Sequence, residues 1–169
     1  MSLEKRIFHL LILSFTFSIC ISFSFAQPLL PNRTLSITPT QAIHFGTLTV
    51  FGSGGTVQVG WDGSRASSGN ILLLSIAPFA QPAIFEIKLC QGRNVAITFA
   101  PTIILTGSNG GSLLLDIGPT EKGGNGASFF TASDCNFITP LRVGGTLHVP
   151  GNAIPGSYTG NLSITFNQE

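Results

Sequence analysis

Short apolar runs, cut by glycine, asparagine and proline, follow one another from Leu35 to the end of the chain. Several runs alternate: at 85–89 apolar residues alternate with Glu86 and Lys88, and at 95–99 large apolar residues alternate with Ala96 and Thr98. Strict alternation puts the two kinds of side chain on opposite faces of a β-strand, and no stretch holds a helical period. The pattern predicts an all-β protein with antiparallel neighbouring strands.

Ten strands are predicted, and turn-forming segments such as 52–55, 62–63 and 107–111 separate them. Segment 118–134 has no strand pattern and is predicted to be a loop. Since each alternating strand has one apolar face, two stacked sheets would bury these faces, which favours a sandwich while composition alone leaves a barrel open. The predicted strands lie at 35–38, 43–50, 56–61, 71–76, 84–89, 95–99, 103–106, 113–117, 141–149 and 158–166.

The last predicted strand, 158–166, places Tyr158, Leu162, Ile164 and Phe166 on one face. A tyrosine that opens a strand resembles the corner tyrosine of immunoglobulin-like sandwiches, which begins their next-to-last strand. The chain stops three residues after Phe166. We therefore expect an immunoglobulin-like antiparallel β-sandwich that lacks a final strand.

The N-terminal segment 1–26 has a short basic start, an apolar run over 7–25 and a small-x-small site that ends at Ala26. This is the pattern of a secretory signal peptide, with cleavage between Ala26 and Gln27. An uncleaved membrane anchor is the alternative, because the apolar run is nearly long enough to span a bilayer. The prediction is a secreted single domain at 27–169, in the periplasm, on the outer surface or outside the cell.

Charged residues make up only 9% of the chain, against about 25% in typical soluble domains. After signal cleavage six basic and six acidic residues are left. This balance excludes the electrostatic signature of binding to nucleic acid or an anionic membrane. Near-zero net charge favours association with protein.

Two cysteines, Cys90 and Cys135, are left after cleavage. In an oxidising compartment they predict one disulfide, which would contribute on the order of 4 kcal/mol if unstrained. Two cysteines without a nearby histidine do not indicate a zinc site.

Motifs for catalysis or cofactor binding do not occur in the sequence, so we predict no enzyme activity and no cofactor. His44 and His148 lie at polar positions of predicted strands and are expected to be exposed. A two-histidine metal site would need a third ligand, and the acidic residues all lie in different segments.

Trp61 is the one tryptophan of the chain and ends a predicted strand before the Asp62-Gly63 turn. Tryptophan is common in sugar-binding sites, which makes Trp61 a candidate ligand contact. A core or corner position is the favoured alternative, because Val57, Val59 and Trp61 share one strand face.

Four segments in this order resemble the DUF4402 family, secreted bacterial proteins with a domain of unknown function: 43–47, 54–65, 143–149 and 155–160. The resemblance extends from about Leu35 to Gln168. The family is similar in turn to spore-coat and fimbrial (pilin-type) subunits, immunoglobulin-like sandwiches that lack their last strand. There the N-terminal extension of the next subunit fills the gap.

By this resemblance the donor strand would be Gln27 to Ile37, although Pro28 and Pro31 cannot donate backbone hydrogen bonds. Alternatively, Leu35 to Thr38 could fill the chain's own edge. We expect a secreted, non-enzymatic structural or adhesive cell-surface subunit that associates through a sheet edge. The alternative is a monomeric binding module for carbohydrate or another cell-envelope ligand, which would use the loops around Trp61 or 118–134.

Overall fold

The computed structural model describes residues 34–89, 92–132, 134 and 136–169. Within these ranges, no helix has the length and hydropathy that a bilayer crossing needs. The described residues form eleven strands: β1 (Ser36–Gln41), β2 (Leu48–Val59), β3 (Arg65–Leu73), β4 (Ala83–Lys88), β5 (Asn94–Phe99), β6 (Thr102–Gly107), β7 (Ser112–Thr120), β8 (Ser128–Phe130), β9 (Thr139–Pro150), β10 (Tyr158–Thr159) and β11 (Ile164–Gln168).

The strands form two antiparallel sheets that pack as a sandwich. The large sheet has the order β1-β4-β9-β7-β6-β10, and β2, which pairs with β3, also joins β9. The small sheet has the order β11-β5-β8. The predicted all-β, immunoglobulin-like antiparallel β-sandwich is confirmed.

Strand β9 is the centre of the large sheet and changes partner along one edge. Its first half, from Thr139 to Val143, pairs with β4. Its second half, from Gly145 to Pro150, pairs with β2. The opposite edge of β9 pairs with β7. The large sheet therefore divides into two branches, β4-β1 and β2-β3, on one side of β9.

The core lies between the sheets and consists of the inward residues of the alternating strands. Their outward neighbours, such as Thr98 and Arg142, are exposed. Removing these apolar faces from water is the main force that holds the sheets together. The residues at 1% exposure or less include Val57, Val59, Ile87, Val95, Ile97, Leu115, Leu141 and Val143.

The predicted strand 158–166 is two strands that belong to different sheets. Tyr158 and Thr159 pair with β6 of the large sheet, whereas Ile164–Gln168 pairs with β5 of the small sheet. The crossing passes close to β6, since a Cβ on Gly160 would lie 3.1 Å from the carbonyl oxygen of Ile104. The alternation continues through the crossing, which is why the sequence pattern indicated one strand.

Two further predictions about strands were wrong. The expected turn at 52–55 lies inside β2, where the β2–β3 pairing is irregular between Val50 and Gly55. Inside the expected loop 118–134, β8 pairs with β5. A three-residue strand is too short for an alternation pattern to reveal.

Tyr158 has the geometry of a corner tyrosine. Its hydroxyl donates a hydrogen bond to the carbonyl oxygen of Ile154, four residues earlier, at 2.6 Å. This bond ties the start of β10 to the preceding loop, as at the corner of immunoglobulin-like sandwiches. Because β11 follows β10, Tyr158 opens the next-to-last strand, and the expectation that no strand follows the tyrosine's strand is wrong.

Candidate functional site

Trp61 lies in the five-residue loop that joins β2 to β3 and is 41% exposed. The loop is closed by a backbone hydrogen bond from Gly60 N–H to the Ser64 carbonyl oxygen, at 2.9 Å. The Asp62 carboxylate accepts two further bonds, from the Ser64 hydroxyl at 2.6 Å and from its backbone N–H at 3.0 Å. The predicted Asp62-Gly63 turn is confirmed. Of the core or corner position favoured for Trp61, the core is wrong, because the side chain is 41% exposed in the turn that follows β2.

The same two bonds favour the ionised form of Asp62. The hydrogen bond from the Ser64 hydroxyl, followed by that from the Ser64 backbone, lowers the pKa of Asp62 below its ordinary value. Both bonds go to Oδ1, so Oδ2 is free of hydrogen bonds within the described residues. The loop thus presents an indole and a carboxylate oxygen side by side.

A row of side chains from three strands lies beside this loop. The register places Gln41 opposite Ile84 and Ile84 opposite Arg142. Together with the loop they line an open cavity of about 400 Å³, which we call the Trp61 notch. Its lining residues are Gln41, Trp61, Asp62, Gly63, Pro82, Ile84 and Arg142.

The notch lies where β9 changes partner from β4 to β2, and Gly144 occupies that point of β9. A Cβ there would lie 2.5 Å from the carbonyl oxygen of Val59 and 3.0 Å from the backbone nitrogen of Trp61. Only glycine lets the end of β2 approach β9 so closely. The notch therefore depends on a close backbone contact between strands distant in sequence.

Two of the polar groups in the notch are held by neighbours. Arg142 Nη1 contacts Glu121 Oε2 at 2.8 Å, and the side-chain nitrogen of Gln41 donates to the Pro82 carbonyl oxygen at 2.8 Å. Arg142 Nη2 and the amide oxygen of Gln41 have no hydrogen bond within the described ranges. They are available to a ligand.

A second feature is the outer edge of the small sheet. The N–H of Glu169 donates to the carbonyl of Asn94, and Ile164 lies opposite Phe99. Since backbone groups alternate between the two sides of a strand, residues 165, 167 and 169 face β5. The N–H and C=O of Ile164, Phe166 and Gln168 therefore face away from it, where no strand of the described residues pairs with β11. We call these groups the β11 edge.

The inward side chains of β11 are less well covered than those of its neighbour. Val95 and Ile97 of β5 are fully buried, whereas Ile164 and Phe166 of β11 are half-buried. Phe166 contacts Phe85 of the large sheet, with ring centroids 5.9 Å apart. Apolar surface between the sheets thus reaches solvent along the β11 edge.

A polar cluster that the sequence did not predict crosses β6, β7 and β9. His148 Nε2 lies 2.7 Å from Asp116 Oδ2, and the Thr102 hydroxyl donates to Asp116 Oδ1 at 3.0 Å. The bond with His148, then that from Thr102, lowers the pKa of Asp116. His44 lies elsewhere, in an isolated bridge with Gln81. The described residues contain no group of three potential metal ligands.

Several predicted features lie outside the described residues. They are the signal peptide with its cleavage site at Ala26 and Gln27, and the two cysteines, Cys90 and Cys135. The disulfide and secretion therefore stay predictions.

A family model described as "Domain of unknown function (DUF4402)" matches residues 35–167. The chain belongs to the DUF4402 family. The DUF4402 match includes the whole Trp61 notch and β11 up to Asn167. No curated protein and no solved structure matches the chain significantly. The similarity of DUF4402 proteins to spore-coat and fimbrial subunits stays a prediction.

Proposed function

We propose that this protein is a secreted, non-enzymatic structural or adhesive cell-surface subunit that associates by strand addition at the β11 edge. The open edge of β11, with half-buried Ile164 and Phe166 beneath it, is the observation that carries the proposal. A strand added there would satisfy the outward backbone groups and cover the apolar side chains between the sheets.

The β11 edge differs from the other sheet edges of the described residues. β8 and β10 have three and two residues. β1 contains Pro39 and a register shift beside it, and β3 contains Gly69 at a φ of 76°. Short strands, edge prolines and irregularities all prevent unwanted pairing. β11 has five residues, a regular register, no proline and no charge, so among the terminal strands of the two sheets it is the one best suited to accept a strand.

The chain's own first strand does not fill this edge. Ser36, Ile37 and Thr38 pair with β4 at the border of the large sheet. The alternative that Leu35 to Thr38 fills an edge of the chain's own fold therefore holds for the border of the large sheet, beside β4, and not for the β11 edge. The predicted donor, Gln27 to Ile37, would have to leave β1 to be donated whole, and up to residue 33 it lies outside the described residues.

The partner strand that best fits the edge is β11 of a second copy. The backbone groups that face away from β5 belong to residues 164, 166 and 168, which are symmetric about Phe166. Two copies related by a twofold axis would therefore pair Ile164 with Gln168 and Phe166 with itself. The segment before β1 fits less well. Pro28 and Pro31 each lack the backbone N–H that a paired strand donates, which limits the stretches of this segment that can pair fully with β11.

The test compares two substitutions at one position in the mature chain, residues 27–169. Gln168→Pro removes an outward N–H and leaves the bonds to β5 in place, because residues 165, 167 and 169 make those bonds. Gln168→Ala is the matched control, since it shortens the side chain and keeps the N–H. We expect sedimentation velocity to show dimers for the wild type and Gln168→Ala and monomers for Gln168→Pro, with native circular dichroism for all three.

A chain that starts at Thr34 identifies the partner strand. It should still form dimers if β11 pairs with β11. Association that disappears on this truncation would instead assign the N-terminal segment as donor. A monomeric wild type at high protein concentration, or dimers that survive Gln168→Pro, would show that the β11 edge is not used.

A further inference from the structure

The Trp61 notch combines an apolar surface with separate hydrogen-bonding groups. Trp61, Pro82 and Ile84 supply the apolar part. Asp62 Oδ2 and the amide oxygen of Gln41 are acceptors, and Arg142 keeps N–H donors beyond its contact with Glu121. A ligand that fits must have an apolar face and polar groups around its rim that both donate and accept.

Charge restricts the ligand further. Among the described residues that line the notch, Arg142 is the one basic residue. It is already engaged by Glu121, while Asp62 adds a second carboxylate. Two carboxylates against one guanidinium do not attract a phosphate, a sulfate or a polyanion. The groups available suit a neutral, polar ligand.

The arrangement is held in place before a ligand arrives. Two hydrogen bonds from Ser64 orient Asp62, the Pro82 carbonyl holds Gln41, and the closed loop places Trp61. A preorganised site loses little conformational entropy on binding. The cavity, about 400 Å³, lies within the usual range for small-molecule sites, roughly 300–1,000 Å³.

We propose that the Trp61 notch binds a neutral saccharide, with one face of a sugar ring stacked on the Trp61 indole. The C–H face of a pyranose is apolar and matches the aromatic surface. Its hydroxyls each donate and accept, so they can bond Asp62, Gln41 and Arg142 together. The notch lies in the large sheet and does not need the β11 edge, so this proposal stands apart from the mode of assembly.

Trp61 also supplies the measurement, because its fluorescence is the only tryptophan signal of the chain. We would titrate the mature protein with methyl glycosides of glucose, galactose, mannose and N-acetylglucosamine, with cellobiose, and with a heparin fragment. At least one neutral saccharide should change the emission saturably, with a Kd on the order of 1 mM. The heparin fragment should bind more weakly than that saccharide.

Substitutions assign the binding to the notch, with saturation-transfer NMR as the readout where tryptophan is removed. Trp61→Ala should weaken binding at least about tenfold, whereas Trp61→Phe, which keeps an aromatic face, should lose less than about threefold. Arg142→Gln should lose several-fold. Phe130→Ala is the control, because Phe130 is 65% exposed and does not line the notch; it should bind like the wild type.

Three results would overturn the proposal. The first is that no neutral saccharide gives a signal by either method with natively folded protein. The second is binding that survives Trp61→Ala, which would put the sugar elsewhere. The third is stronger binding of the heparin fragment that high salt abolishes, which would make the site electrostatic.

Discussion

Replacing Gly144 by alanine should destabilise the protein strongly, because the new methyl group would be forced against two backbone atoms. Its Cβ would lie 2.5 Å from the Val59 carbonyl oxygen and 3.0 Å from the Trp61 nitrogen. These atoms move only if the end of β2 moves away from β9. Overpacking costs about 1–3 kcal/mol, and each β2–β9 hydrogen bond lost with it adds about 1 kcal/mol.

We therefore expect Gly144→Ala to lower the free energy of unfolding by about 3 kcal/mol, which corresponds to a fall in Tm of roughly 10 °C for a domain of this size. Gly124→Ala is the matched control. Nothing lies within 4 Å of a Cβ at Gly124. Alanine there should raise the free energy of unfolding by about 0.4–1 kcal/mol, because it reduces the conformational entropy of the unfolded chain.

Urea unfolding of a protein that comprises residues 27–169, followed by circular dichroism and Trp61 fluorescence, measures both changes. The native emission of Gly144→Ala should also shift, because the displaced backbone carries Trp61. A Gly144→Ala protein within about 0.5 kcal/mol of the wild type, or an equal loss for Gly124→Ala, would refute the close contact between β2 and β9.

Three further predictions address the corner, the polar cluster and the core. Tyr158→Phe removes the hydroxyl bonded to the Ile154 carbonyl and should cost about 1 kcal/mol in urea unfolding; an unchanged stability would show that the corner bond adds nothing. Asp116→Asn should destabilise the protein most at neutral pH. The folded-state pKa of Asp116 is lowered, chiefly by the bond with His148. The carboxylate's contribution to the free energy of unfolding is therefore complete above the unfolded pKa of about 4 and is lost as pH falls through the folded pKa. A stability difference between Asp116→Asn and wild type that grows toward acid pH would contradict this. Ile97→Ala, at a fully buried position, should cost about 2–5 kcal/mol, and a loss below 1 kcal/mol would mean that the two sheets pack loosely.

Much of the fold was predictable because alternation and turn chemistry are local. The runs at 84–89, 95–99, 103–106 and 113–117 match β4 to β7 within a few residues. The strand predictions were wrong where the outcome depended on which strands pair, because local sequence patterns do not reveal strand pairing. Segment 52–55 contains three glycines and still continues β2, and the alternation over 158–166 does not reveal that the chain changes sheet at Gly160.

The candidate sites were only partly predictable. Trp61 was recognised as a candidate ligand contact from its residue type, but nothing in the sequence placed Gln41 and Arg142 beside it. The polar cluster of Asp116 and His148 was missed for the same reason. In both cases, only the pairing register between strands far apart in the chain shows which side chains lie together.

By itself, the sequence determined the strand-rich class, the inward and outward faces of most strands and the turn at Asp62-Gly63, since each depends on residues close together along the chain. The tertiary structure alone decided that β9 changes partner at Gly144, that Trp61 stands at the resulting notch and that β11 lies at an open edge. These features depend on backbone hydrogen bonds between distant strands, and a period-two pattern is the same whichever strand lies alongside.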